Sequence, residues 1–128
     1  MNTKKEIHAL IVERNNTLAE SIEKILEHRQ YRVTCLSKRE DIPRLLRREN
    51  YSLAVIGEAE DGISPFQMMK DMVMASPMTS MILITDLPNE VVDEKAEGYG
   101  ILGHAGKDIR REEIVPLLES FEQILRSV

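Results

Sequence analysis

The sequence predicts an α/β protein, with five parallel strands in one doubly wound sheet and helices over both faces. Two observations predict it. Short apolar runs alternate with longer segments whose apolar residues recur every three or four positions. The order is strand then helix, five times over, and such an order implies a parallel sheet closed by right-handed crossovers. No repeat, linker or low-complexity segment interrupts it.

Ile7 to Val12 is the first apolar run and has the character of a buried strand. Asn15 or Asn16 can cap the helix that follows, because a short polar side chain satisfies free N–H groups at a helix start. Leu18, Ile22, Ile25 and Leu26 then share one helical face. Tyr31 to Leu36 alternates polar and apolar residues, as a second strand does. Ile42, Leu45 and Leu46 mark the second helix, where Pro43 is tolerated only in the first turn. Leu53 to Ile56 is the third strand, ended by Gly57.

A polar loop leads to Pro65, which opens a third helix with Phe66, Met69, Met72 and Val73 inward. Met81 to Thr85 is the fourth strand, Pro88 to about Gly98 a short fourth helix, and Gly100 to about His104 the fifth strand. The last helix is expected to begin near Glu112 or Glu113, which keeps Pro116 in its first turn. Ile114, Leu117, Leu118, Phe121, Ile124, Leu125 and Val128 are in phase along it.

The 128 residues suit a single domain, which at this length buries roughly two-thirds of its unfolded surface. It needs neither disulfide nor metal to stand. Hydrophobic residues make up 42% and charged residues 30%, a balance ordinary for a globular chain. There is no Trp, so Leu, Ile, Val and Met fill the core. A net charge of -5 argues against direct nucleic-acid binding. The single cysteine, Cys35, cannot form an internal disulfide. The apolar run after the polar first residues is too short for a signal peptide or a membrane span. A cytoplasmic location follows as the expectation.

Ligands of open parallel sheets bind at the carboxyl ends of the strands. The candidate positions are therefore Glu13 and Arg14, Gly57 and Glu58, Thr85 and Asp86, and the residues after the fifth strand. At these ends the chain resembles the receiver domain of response regulators, the CheY-like family. Ala9-Leu-Ile-Val-Glu-Arg-Asn resembles the family's first strand, which usually ends in two acids. Tyr51-Ser-Leu-Ala-Val-Ile-Gly is similar to the third, which usually ends in the phosphoacceptor Asp. Ile82-Leu-Ile-Thr85 is similar to the fourth, which ends in Thr or Ser. Gly100 to Lys107 resembles the run from a Gly to the active-site Lys. The resemblance covers the whole chain and implies a flavodoxin-like sheet of order 2-1-3-4-5.

The departures govern the functional expectation. Receiver chemistry needs a carboxylate nucleophile, acids that hold Mg²⁺, a hydroxyl, and a Lys that meets the phosphoryl oxygens. Here Glu13 and Arg14 replace the acid pair, and Gly57 stands where the acceptor Asp belongs. The family pocket is net negative. This one is net positive, or neutral if Glu58 turns inward. Mg²⁺ binding is accordingly expected to be weak or absent, with no cofactor, and Arg14 can take the ion's place by pairing with Glu13, Glu58, Glu60 or Asp61. Asp108 follows Lys107 where the family usually has a cis proline. A trans bond is expected there, since a non-proline cis bond costs about 3 kcal/mol.

Each remaining signal has two readings. Glu58 is a displaced acceptor or a solvated loop acid, and Lys107 is a partner to Glu13 or Glu58, or a surface residue. Thr85 is a switch hydroxyl or a partner for nearby backbone. Six of the seven methionines fall between Met68 and Met81, as an adaptable surface or as core plus chance. Arg39, Arg44, Arg47 and Arg48 are a basic flank or a solvated helical face. His104 has no second His or Cys beside it to make a metal site. The stripe on the last helix is core or, in part, a dimer and output face.

The expected function is a degenerate receiver, or pseudo-receiver, of two-component type. It is not an enzyme and works through a protein partner or a fused output domain. The resemblance extends that output to transcription. A homodimer through the last helix is expected, with the chain forming the amino-terminal part of a longer protein. Two other readings stand beside this one: a phosphorylatable receiver using Glu58 or Asp61 with Mg²⁺, and a flavodoxin-like binder of a small molecule. Against the last, no glycine-rich nucleotide fingerprint or flavin-flanking aromatics are present.

Overall fold

The computed structural model describes residues 6–127. Five strands, β1 (His8–Val12), β2 (Arg32–Leu36), β3 (Leu53–Ile56), β4 (Ser80–Ile84) and β5 (Gly103–Ala105), form one sheet. All are parallel, in the order β2-β1-β3-β4-β5. Helices α1 (Asn16–His28), α2 (Ile42–Arg48), α3 (Pro65–Ala75), α4 (Asn89–Lys95) and α5 (Arg111–Arg126) make the crossovers. The predicted doubly wound α/β fold and its strand order are those observed.

The sheet separates two apolar layers because successive side chains of a strand point to opposite faces. Ala9, Ile11, Leu53, Val55, Ile82 and Ile84 face α1 and α5. Leu10, Val12, Ala54, Ile56, Met81 and Leu83 face the layer that contains Ile42, Met68, Met69, Met72 and Val92 from α2, α3 and α4. Central strands covered on both sides read as unbroken apolar runs, as those of β1, β3 and β4 do.

Asn15 caps α1 by accepting the Leu18 N–H at 3.0 Å. The helix closes with Gln30 in the left-handed region, φ 69°, where Gln30 N–H donates to the Glu27 carbonyl and Tyr31 N–H to that of Leu26. That pairing is the Schellman arrangement, which satisfies carbonyls the helix would leave bare. Ser64 and Pro65 open α3 as cap and first residue. Of the methionines, Met68, Met69, Met72 and Met81 are core, while Met74 and Met78 are exposed. Phe66 and Val73 are only partly buried against that core, and Met68 takes an inward place instead.

Several strand ends differ from expectation by one residue, and α4 ends at Lys95, short of Gly98. The fifth strand begins at Gly103 and not Gly100, because Gly100 has a positive φ of 67° that extended backbone does not adopt. A 3₁₀ turn at Arg39–Asp41 precedes α2. Helix α5 starts at Arg111, so Pro116 lies inside it and not in its first turn. Its ring removes the N–H that would donate to the Glu112 carbonyl. Both residues are exposed, which lets water serve that carbonyl. Helix α5 also packs very close to β5: a Cβ on Gly103 would lie 2.5 Å from Leu117 Cδ2.

A half-buried cluster ties the end of α1 to α5. The Arg29 guanidinium donates to both carboxylate oxygens of Glu122, at 2.9 and 2.6 Å, and Tyr31 O–H donates to the same carboxylate at 2.7 Å. The Arg29 hydrogen bonds hold the Glu122 carboxyl below the usual range, against the opposing effect of burial. Burial pushes the Tyr31 hydroxyl well up, so it remains a donor. A carboxyl depressed in the folded state contributes stability above its unfolded pKa of about 4.3 and loses it as pH falls through the folded value. Glu122→Ala is expected to cost about 2 kcal/mol at neutral pH and to weaken the acid dependence of stability below pH ~4. Urea denaturation of both proteins across pH 3–7 checks this.

Candidate functional site

Strand geometry assembles the site. The β1–β3 register pairs Val12 with Ile56, so Glu13 and Gly57, the next residue of each strand, lie side by side. Gly57 N–H donates to the Val12 carbonyl at 2.8 Å. Thr85 N–H donates to the Ala105 carbonyl, which brings the end of β4 against the end of β5.

Glu13 is buried, with 5% of its surface exposed. A buried carboxylate needs hydrogen-bond donors, and Glu13 finds two in the backbone. Oε2 accepts the Asn15 N–H at 2.9 Å and Oε1 accepts the Glu58 N–H at 3.2 Å. The side chain thereby lies over Gly57. A Cβ built on Gly57 would fall on Glu13 Oε1, 3.1 Å from Glu13 Cδ and 3.3 Å from the Val12 carbonyl oxygen. The space beside residue 57 is therefore filled by Glu13.

Glu58 joins the loops above. Its carbonyl accepts the Arg14 N–H at 2.7 Å. Its carboxylate oxygen Oε2 lies 3.1 Å from Lys107 Nζ and 3.5 Å from Arg14 Nη2. Of the four acids named as partners for Arg14, Glu58 is the one it meets. The three side chains are 38–52% exposed, so water screens both ion pairs. Lys107 is held from behind as well, its N–H donating to Asp86 Oδ1 at 2.9 Å. The adjacent Gly106 N–H donates to Glu113 Oε1 at 3.2 Å. The peptide between Lys107 and Asp108 is trans.

Thr85 points elsewhere. Its hydroxyl accepts the Leu87 N–H at 3.2 Å, which turns the chain into α4. Asp61 accepts the Ile63 N–H within its own exposed loop. Thus Glu13, Arg14, Gly57, Glu58 and Lys107 form one connected group, and Thr85 serves local backbone. A cleft of about 270 Å³ adjoins Thr85 and is walled by Asp86, His104, Asp108 and Glu113. Among the described residues no set of three or more His, Cys, Asp or Glu is arranged to hold a metal ion.

The stripe expected on the last helix divides. Ile114, Leu118 and Phe121 are core and cannot serve as a contact face, and Leu117 packs partly against that core. Ile124 and Leu125 are exposed. Val128 lies outside the described residues. Sequence reasoning missed the roles of Glu113 and of Arg29, Tyr31 and Glu122. The latter three line an open cleft of about 1340 Å³ at the amino ends of the strands, away from the site. No spacing marks them, because Arg29 and Tyr31 follow α1 while Glu122 lies on α5, 91 to 93 residues away.

No protein-family model and no curated protein matches the sequence. Solved structures do match in shape. The signal receiver domain of an HD domain-containing protein from Pseudomonas fluorescens Pf-5 has a TM-score of 0.84 at 16% identity, covering 99% of this chain and 94% of its own. A CheY-like response regulator receiver domain protein from Methanospirillum hungatei JF-1 has a TM-score of 0.81 at 15% identity, covering 97% and 100%. An orphan response regulator of H. pylori has a TM-score of 0.75 at 18% identity, covering 93% and 98%. Strand order, helix placement and these likenesses agree: the chain has the flavodoxin-like fold of CheY-like response regulator receiver domains.

Proposed function

We propose that this domain is a pseudo-receiver, a signalling module that works through protein contact and is not phosphorylated where receivers carry their acceptor. The observation that carries the reading is Gly57, which ends β3 without a side chain while Glu13 fills the space beside it. The residues present also do not fit Mg²⁺. Glu13 spends both oxygens on backbone N–H groups, and Arg14 brings a fixed positive charge to the neighbouring loop. With Lys107 on Glu58, the group is neutral without a dication. Binding of Mg²⁺ is therefore weak or absent, and the domain is not an enzyme.

The partner in this reading is a protein or a fused output domain. The Pf-5 neighbour, a receiver within an HD domain-containing protein, supplies a parallel for fusion. The exposed Ile124 and Leu125 near the end of α5 suit a contact with such a partner or with a second copy. A net charge of -5 makes direct nucleic-acid binding by this domain unfavourable. Among the described residues no helix is long and apolar enough to cross a membrane. A cytoplasmic location belongs to this proposal.

One observation favours a second reading. Lys107 Nζ lies 3.1 Å from Glu58, the kind of contact a phosphoacceptor would make, so Glu58 is the rival acceptor. Amide NMR titration with Mg²⁺ and then beryllofluoride, with light scattering on the same samples, separates the two. The signals of Gly57, Thr85 and Lys107 are expected to stay in place and the mass to stay constant. Shifts at stoichiometric beryllofluoride that vanish in Glu58→Gln would establish Glu58 as the acceptor instead. As a solvated bridge, Glu58 should also matter little to stability. Glu58→Gln is expected to change the unfolding free energy by less than about 1 kcal/mol, and by less still in 1 M salt, as read by urea denaturation.

A further inference from the structure

We infer that Glu13 is the resident occupant of the position beside residue 57, so that Glu13 and Gly57 work as one interlocked pair and the pocket is closed from within. This deepens the pseudo-receiver reading and rests on it for its functional meaning, but its geometry stands alone.

Three features carry it. Glu13 is the only charged residue that is buried among the described residues, and its carboxylate has a donor for each oxygen. Those donors belong to two different loops: Asn15 N–H ends the β1–α1 connection and Glu58 N–H lies early in the β3–α3 connection. Finally, the volume into which a side chain on residue 57 would grow coincides with Glu13 Oε1. Gly57 has no positive φ, so backbone conformation does not demand glycine there. What a Cβ there meets first is the Glu13 carboxylate, with the Val12 carbonyl oxygen also 3.3 Å away.

It follows that the missing side chain at residue 57 is not a simple loss. Any side chain installed there must first displace Glu13 Oε1, which takes the acceptor from the Glu58 N–H. Glu58 in turn positions Arg14 and Lys107. Glu13 is thus a positioning residue for Glu58, whose carboxylate meets a cation from each of two other loops, and an acceptor restored at residue 57 alone would compete with it.

The test is a double-mutant cycle on the whole chain: wild type, Glu13→Ala, Gly57→Ala and the double variant, read by melting temperature and by the amide signals of Asn15 and Glu58. Each single variant is expected to melt roughly 5 °C lower. Glu13→Ala should move the Asn15 and Glu58 amide signals upfield, and Gly57→Ala that of Glu58, as loss of a carboxylate acceptor does. The double variant is expected to melt within about 2 °C of Glu13→Ala, because the methyl group then enters space already vacated. Additive losses, or Gly57→Ala with the Glu58 signal at its wild-type position, would overturn the inference. If Gly57→Ala fails to fold, the double variant decides: folding as well as Glu13→Ala supports the pair, and failing again sinks it. None of these readouts depends on phosphorylation. A domain that takes beryllofluoride on Glu58 would leave the pair standing, and a failed pair would leave the titration to judge the pseudo-receiver reading.

Discussion

The parallel register between β1 and β3 is the constraint on which the rest depends. Once Ala9 pairs with Leu53 and Val12 with Ile56, the two strands end level. The next residue of one then lies beside the next residue of the other. In a parallel sheet every strand delivers its carboxyl end to the same edge, so β4 and β5 bring Thr85 and the Gly106–Lys107 turn to that edge as well. A slip of one residue would exchange the two apolar faces of a strand. Here that would set the face of Leu10 and Val12 against α1 and α5 in place of Ala9 and Ile11. Core packing on both sides thus specifies the neighbours of Gly57.

Two acids at this edge show how burial decides what a charge does. Glu13 and Glu58 stand within a few ångströms of shared backbone, yet their roles differ. Glu13 is withdrawn from water, where an unpaired carboxylate would be costly, and fixed N–H dipoles replace its hydration. Glu58 remains partly solvated, and its ion pairs with Arg14 and Lys107 are screened and exchangeable. The buried acid orders the loops. The exposed one collects the cations. At the opposite end of the sheet, Glu122 combines both features: it is half-buried and meets a bidentate guanidinium and a tyrosine hydroxyl.

Much of the fold was legible because it rests on local periodicity. The runs at β1, β3 and β4 announce strands buried on both faces, and Leu18, Ile22, Ile25 and Leu26 announce α1. Asn15 and Pro65 mark helix starts by chemistry that acts within a few residues. Among the boundaries that went astray, β5 starts late because Gly100 takes a positive φ. Pro116 argues locally for a late start to α5, but the helix extends back to Arg111 while the proline stays on its exposed side. The stripe on α5 reads as one face by phase alone, although the sheet covers Ile114, Leu118 and Phe121 and leaves Ile124 and Leu125 beyond its end.

By itself, then, the sequence determined the alternation of strands and helices, the edge at which Glu13, Gly57, Thr85 and Lys107 would gather, and the absence of a carboxylate at residue 57. These follow from residue type and periods of two and 3.6, which are properties of the local chain. Only the tertiary structure decided that Glu13 turns inward over Gly57, that Glu58 is the acid shared by Arg14 and Lys107, and that Thr85 turns to its own loop. Those outcomes depend on which donors another strand or loop presents at a distance of about 3 Å. Glu13 and Glu58 are 45 residues apart in the chain, and no local pattern carries that proximity.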